Sequence, residues 1–374
     1  MPVFDSSFTP EKLTMIVKKV ELKDFRNLNI VNIELESGLN IFYGDNAQGK
    51  TNLLEAIYFC STGRSQRTRS DRELISIGKS EAHIRAHIDN EGVSERIDVH
   101  LKNTQKKGIA INGLPIKFLG DLFGIFLTVI FSPEDLQLVK AGPSERRKYM
   151  DLELCQLSRV YYYNLQQYYR VLKQRNNLLK YAERTPDLKD TLPVWDEQLV
   201  SFGLKIMEYR SDFILNINQL SGKLHSSITN GKEKLNVVYK SNVSADNYMD
   251  KLVGALNRDL MLGSTTVGIH KDDIVFLIDG IDARIFGSQG QQRTVCLSSK
   301  LAEIELIRSK TGKSPVLLLD DVLSELDKNR QKHLIESMEH IQTIMTCTGN
   351  EDVLRKLSRN QRSLCYKIEN GQIF

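Results

Sequence analysis

Val31, Ile33 and Leu35 alternate with Asn32, Glu34 and Glu36, the period-two pattern of a strand with one wetted face. Further short strands are expected at 84–88, 97–101 and 109–111, divided by Asn90-Glu91-Gly92 and Asn112-Gly113, residues that favour tight hairpin turns. Leu39 to Tyr43 is apolar without strong alternation, as in a buried strand. Leu53, Leu54, Ile57 and Tyr58 then recur at helical spacing, and Gly63 closes that helix. After Ser132-Pro133-Glu134-Asp135 the pattern changes. From Ser144 to about Leu224 strand signals vanish, and Phe202, Ile206, Tyr209, Phe213, Ile217, Leu220 and Leu224 step by threes and fours. A break between Pro186 and Pro193 divides this stretch, which predicts a hairpin of two long helices. From about residue 265 strands return at 274–278 and 283–286 around an Asp279-Gly280 turn. A helix from Ser288 to about Lys310 follows, stopped at Thr311-Gly312-Lys313, and then an apolar strand from Val316 to Leu319.

These periods predict an α/β fold: a nucleotide-binding head built from both ends of the chain, carrying antiparallel β hairpins and an inserted α-helical domain. The expected divisions are a loose polar leader at 1–14, the head at 15–135 and 261–374, and the helical insertion at 136–260.

Composition excludes more than it selects. The 374 residues are 41% hydrophobic and 26% charged, ordinary for a globular protein, with a net charge of +4 that permits an anionic partner without requiring one. Five cysteines are scattered without a C-x-x-C pair, so neither a disulfide framework nor a zinc site is expected. The seven histidines suggest no ligand cluster: His83 and His87 are four apart, but in a strand-like stretch without an H-E-x-x-H pattern. No run approaches the ~20 apolar residues that cross a bilayer, and the N-terminus lacks an apolar core for export. A cytoplasmic location without membrane contact is expected.

The chemistry concentrates in two places. Gly44-Asp45-Asn46-Ala47-Gln48-Gly49-Lys50-Thr51 fits the phosphate-binding loop G-x-x-x-x-G-K-[ST] between a strand and a helix. Its glycines let backbone N–H groups surround phosphate oxygens, Lys50 reaches the β/γ-phosphates, and the Thr51 hydroxyl ligates Mg²⁺. The helix N-terminus adds its dipole. Far downstream, the 316–319 strand carries Asp320 to its tip, where a carboxylate can hold the same Mg²⁺. ATP and Mg²⁺ are therefore the expected cofactors. The helix leading into that strand opens with Ser288-Gln289-Gly290-Gln291: a hydroxyl, a glycine permitting close approach and a helix N-terminus, together suited to a γ-phosphate. Ser288 is equally suited to be a plain N-cap.

The order of these motifs resembles the ATPase heads of the ABC superfamily. Four further stretches resemble the RecF recombination-repair family: Lys23-Asp24-Phe25-Arg26-Asn27, Lys140-Ala141-Gly142-Pro143-Ser144-Glu145-Arg146-Arg147, Ser288-Gln289-Gly290-Gln291-Gln292-Arg293-Thr294 and Asp320-Asp321-Val322-Leu323-Ser324-Glu325-Leu326-Asp327. Gly268-Ile269-His270-Lys271-Asp272-Asp273 also matches a family element, with Ile269 where proline is usual. The resemblance implies a cytoplasmic DNA-repair ATPase, related to the heads of structural-maintenance-of-chromosomes proteins without their long arms. It implies an ATP-dependent homodimer that binds gapped DNA, or duplex ends next to single strands, and works with RecO and RecR to promote RecA loading. It further implies that Arg26, Gly290 and Gln291 contribute to the nucleotide site and that Ser288 acts on the nucleotide of the other subunit. Asp321 would stand at the hydrolytic carboxylate, Ser324 to Asp327 in the loop that crosses the dimer, and Thr348 where transporter ATPases carry a switch histidine.

Two other functions compete: the nucleotide-binding subunit of an ABC transporter, and a metabolic P-loop kinase. The long insertion, the Ser-Gln-Gly-Gln-Gln-Arg motif and Thr348 in place of histidine speak against the first; a kinase needs no signature motif. For DNA, the stretch from Glu145 to Arg184 holds nine basic residues, Arg146, Arg147 and Lys148 among them, against four acidic ones, and Arg64, Arg67, Arg69 and Arg72 form a second candidate patch.

Overall fold

In the computed structural model, residues 15–181, 191–348 and 363–374 are described; the expected leader and the residues around Pro186 lie outside them. The chain separates into two compact units, one of residues up to Asp135 together with Glu303 onward, the other Leu136–Ala302. The first division falls where the sequence pattern changes. The second lies some forty residues beyond the expected 260/261, because strands from 235 to 282 and the start of the Ser288 helix pack with the helical unit.

Up to Asp135 the head contributes β1 (Met15–Phe25), β2 (Leu28–Glu34), β3 (Leu39–Tyr43), α1 (Lys50–Thr62), β4 (Glu81–Asn90), β5 (Val93–Lys102), β6 (Gly108–Ile111), β7 (Leu114–Pro115) and β8 (Thr128–Phe131). The second unit holds α2 (Gln137–Lys140), α3 (Pro143–Leu157), α4 (Arg159–Tyr181), α5 (Leu192–Ile228), β9 (Leu235–Lys240), α6 (Tyr248–Gly254), α7 (Leu256–Leu262), β10 (Asp273–Ile278), β11 (Ile281–Asp282) and α8 (Ala283–Phe286). α9 (Gln289–Thr311) leads back to the head, completed by β12 (Val316–Asp320), α10 (Lys328–Ser337), β13 (Thr343–Cys347), β14 (Ser363–Glu369) and β15 (Gln372–Ile373).

Two six-stranded sheets make the head. One is antiparallel, in the order β2-β1-β4-β5-β6-β7; the other, β15-β14-β3-β13-β12-β8, is parallel from β14 to β8. The parallel sheet explains the unbroken apolar runs: Val316 to Leu319 lies in an interior strand buried on both faces. The antiparallel sheet shows the alternation instead, burying Val31 and Ile33 of β2 and Ala82, Ile84, Ala86 and Ile88 of β4. Glu91-Gly92, Asn112-Gly113 and Asp279-Gly280 all adopt positive φ at both positions, the backbone a two-residue hairpin turn requires. The β4/β5 register also overturns the expectation that no histidines cluster: His83 stands opposite His100, on the neighbouring strand.

In the second unit α5 is one 37-residue helix opened by Pro193. Its buried stripe runs through Leu199, Ile206, Phe213 and Ile217, and it includes Arg210, which no apolar count would find. Arg210 is fully buried and bonds Asp151, Asp272, the Ile269 carbonyl and the Tyr161 hydroxyl. Arg175 is buried likewise, between Asp196 and Asp259. Tyr161, Tyr162 and Tyr168 are core residues, while Tyr163 is exposed. The expected strand at 283–286 is instead a helical turn, because the Asp282 carboxylate caps the Arg284 N–H.

Candidate functional site

The parallel register decides what meets at the head's site. β3, β13 and β12 run side by side, pairing Tyr43 with Cys347 and Thr346 with Asp320. Their C-terminal ends therefore share one edge, where the phosphate loop, Asp320–Asp321 and Thr348 all emerge, the edge at which open α/β sheets bind ligands.

Gly44 and Gly49 hold positive φ, as does Ala47. A Cβ on Gly44 would lie 2.2 Å from the Ile368 carbonyl oxygen, so that position admits no side chain. Lys50, at the start of α1, donates to the Gly44 and Asp45 carbonyls at 2.5 and 2.9 Å, which folds its ammonium over the loop. The C-terminal hairpin braces the same loop: the Asn370 N–H donates to Gln48 Oε1 (2.5 Å) and the Gly371 N–H to the Gln48 carbonyl (3.1 Å). Sequence reading missed this brace. Its one signal was Asn370-Gly371, another turn dipeptide with both residues at positive φ.

Asp320 is buried at the tip of β12, and its Oδ1 accepts from the hydroxyls of Thr51 and Thr346, each at 2.8 Å. Burial raises its carboxyl above the usual carboxylate range, against the pull of the two hydroxyl donors, and the charge of Glu134 after β8 raises it further. Thr346 Oγ1 also accepts the Asp321 N–H (3.0 Å), and Asp321 sits in the left-handed region with φ 52°. One threonine thus holds both aspartates. In the loop beyond, Ser324 Oγ donates to the Asp321 carbonyl, and Asp327 caps α10 through the Asn329 and Arg330 N–H groups. Thr348 is exposed just past β13.

Arg26, expected at the nucleotide, extends from the β1–β2 turn to α1. Its guanidinium grips both oxygens of Glu55 (3.0 and 2.9 Å) and the Glu73 carbonyl. Glu55 is fully buried and also takes Ser65 Oγ. Beside it Asn27 bonds Asn52, which takes Arg67. A lone glutamate inside an otherwise apolar helix was the sequence signal for this clamp.

In the second unit Ser288 and Gln291 form a reciprocal capping box. The Gln291 N–H donates to Ser288 Oγ (3.2 Å) and the Ser288 N–H to Gln291 Oε1 (2.9 Å). Ser288 is therefore an N-cap, and it is exposed; Gly290 follows in the first turn of α9. Gln291 Nε2 continues to Glu233, which meets the buried His225. Of the basic residues, Arg146 is buried and gripped by Asp273, and Arg147 donates to the Asp272 carbonyl. Arg146 therefore does not belong to a solvent-facing patch. Arg64, Arg67, Arg69 and Arg72 are exposed.

A phosphate loop, a buried aspartate facing its threonine, and a Ser-Gln-Gly-Gln helix start define an ATPase head of the ABC type. Residues 16–370 match the RecF/RecN/SMC N-terminal domain. The chain is 50% identical to the DNA replication and repair protein RecF of Lachnoclostridium phytofermentans, across 96% of this chain and 99% of that one. The RecF of Agathobacter rectalis is 47% identical over the same shares. A solved structure of the recombination mediator RecF with ATP superposes with a TM-score of 0.91 at 36% identity, covering 98% of this chain and 99% of that one. The head of Smc from Pyrococcus furiosus shares the fold, with a TM-score of 0.55 at 16% identity. The chain belongs to the RecF family. Among the described residues no helix is long and apolar enough to cross a membrane.

Proposed function

We propose that this protein is an ATP-switched DNA-binding protein of recombinational repair, which hydrolyses ATP slowly and acts with RecR and RecO to promote RecA loading at gapped DNA. The observation that carries the reading is the convergence of Lys50, Thr51, Asp320 and Asp321 at one sheet edge, in a chain whose solved relative is a RecF–ATP structure from the RecFOR pathway. The transporter reading loses its support, because the relatives match over nearly the whole chain, insertion included.

The loop from Gly44 to Thr51 takes the phosphates. Lys50 exchanges the Gly44 and Asp45 carbonyls for phosphate oxygens, a short swing of a long side chain. Thr51 and Asp320 would hold Mg²⁺, whose hard charge neutralises the β/γ-phosphates. The residues fit that ion: a hydroxyl and a carboxylate oxygen already meet at 2.8 Å, in a buried spot that disfavours an uncompensated anion. Asp321 orients the attacking water; its short side chain suits slow turnover. Thr348 would hydrogen-bond water or the γ-phosphate but cannot act as a cation. Ser288, Gly290 and Gln291 serve the nucleotide of the second subunit, so that ATP joins two subunits, and Arg26 positions the loop through Glu55. DNA meets the exposed Arg64–Arg72 segment.

Lys50→Ala tests the nucleotide half: ATP affinity and ATP-driven dimerisation should fall while the fold survives, and unchanged affinity would misplace the nucleotide. Gapped-duplex binding with and without ATP tests the DNA half. Affinity should fall with salt at a slope of about −0.9 per phosphate contact, and replacing Arg64, Arg69 and Arg72 by alanine should flatten that slope. Equal DNA affinity with and without ATP would remove the coupling.

A further inference from the structure

The antiparallel sheet of the head carries a group of side chains that the nucleotide site does not use. Glu81, His83 and His100 each offer one ligand atom, and these atoms all lie within 4.8 Å of one another. The two imidazoles face each other across β4 and β5, with ring centroids 4.0 Å apart and planes 21° from parallel. Both Nε2 atoms turn to the same carboxylate, His100 to Glu81 Oε2 at 2.9 Å and His83 to Oε1 at 3.5 Å.

We propose that Glu81, His83 and His100 form a site for one divalent transition metal ion of the zinc class, separate from the nucleotide's magnesium. Two nitrogens and a carboxylate oxygen are the donor set of Zn²⁺, Co²⁺ or Ni²⁺, whereas Mg²⁺ prefers oxygen alone. Ligands at ~2.1 Å around a tetrahedral ion stand about 3.4 Å from each other, and the two measured N–O separations bracket that value. The three side chains are 34–46% exposed, which leaves them free to make small rotamer changes.

The surroundings suit an ion. Gly108 of β6 lies opposite His100, and a Cβ built there would meet nothing within 4 Å, so solvent or a fourth ligand has access. Arg85, the next residue on this face of β4, is paired with Asp98 and Glu21, which also meet Arg96 and Lys19. Lys23 and Lys102, paired with His83 and Glu81, are further cations beside the site. Bound there, the ion would cross-link β4 to β5 three residues from the level of Arg26, since Lys23 of β1 pairs with His83.

The test uses the full chain, stripped with chelator and kept in excess Mg²⁺ to saturate the nucleotide site. Zn²⁺ is titrated against a chromophoric chelator, and Co²⁺ is followed by its visible absorption. The wild type should take one ion, show the absorption of a four- or five-coordinate cobalt centre, and melt at a higher temperature with Zn²⁺. His83→Gln, His100→Gln and Glu81→Gln should each weaken that binding at least about tenfold, the lower end of what even outer-sphere partners cost, and abolish the Zn²⁺-dependent rise in melting. Asp320→Asn should leave both intact. Failure of the wild type to bind, or equal binding by all three variants, overturns the site. Glu81→Gln, a change at a half-exposed position, decides the matter should either histidine variant fail to fold.

Discussion

Thr346→Val isolates the single residue that holds both Asp320 and Asp321. Thr346 is 1% exposed and valine matches its shape, so β13 keeps its packing and only the hydroxyl is lost. Two contacts go with it: the 2.8 Å bond to Asp320 and the acceptor of the Asp321 N–H at 3.0 Å. A hydrogen bond to a charged group contributes about 1.5–3 kcal/mol, and an orphaned buried donor costs about 1–3 kcal/mol. Asp320 retains Thr51, and Asp321 is only partly buried, so the sum shrinks to roughly 2–4 kcal/mol. Urea denaturation of the nucleotide-free protein should show that loss. Turnover should fall further than ATP affinity, because Asp321 loses the contact that fixes its left-handed backbone, while the phosphate loop is untouched. Thr346→Ser restores the hydroxyl and should recover most of both. If the valine variant is as stable and as active as the serine variant, Thr346 only fills space and the account of the paired aspartates is wrong.

Ser288→Arg should still bind ATP as a monomer but fail to dimerise in sedimentation with ATP; normal dimerisation would refute the composite site. Gly371→Ala should lower ATP affinity measured by calorimetry, because its Cβ would stand 2.1 Å from the Asn27 carbonyl oxygen at φ +74° and push the hairpin off Gln48; unchanged affinity would make the brace incidental. His270 is half-buried, with Nδ1 accepting from the Tyr168 hydroxyl and Nε2 donating to the Thr265 carbonyl, and desolvation pushes its pKa from 6.5 down to about 4. A depressed pKa on a base means that stability is present above 6.5 and lost as pH falls toward 4, by about 3 kcal/mol at most. His270→Gln should flatten that part of the pH–stability profile, and an unchanged profile would assign the loss to other groups.

The phosphate loop, the acidic strand and the helix start at Ser288 were legible because each is a local solution to a local problem. Glycines at fixed offsets, a lysine and a threonine at a helix start, and an apolar run ending in aspartate carry their chemistry in consecutive residues. The hairpin turns were legible for the same reason. Asn112-Gly113 favours positive φ through its own two residues, and takes it. Contacts between distant residues were not. Gln48 meets Asn370, Thr346 meets Asp320, Arg26 meets Glu55, and Arg210 lies within an apolar stripe beside Asp272. A buried charge is tolerated only when partners from elsewhere in the chain surround it, and a sequence read locally cannot say which. The same limit made Arg146 look like a DNA contact when Asp273 already held it, and hid His100 from His83. The local backbone chemistry was fixed by the order of residues; the register of two sheets decided which polar groups face one another.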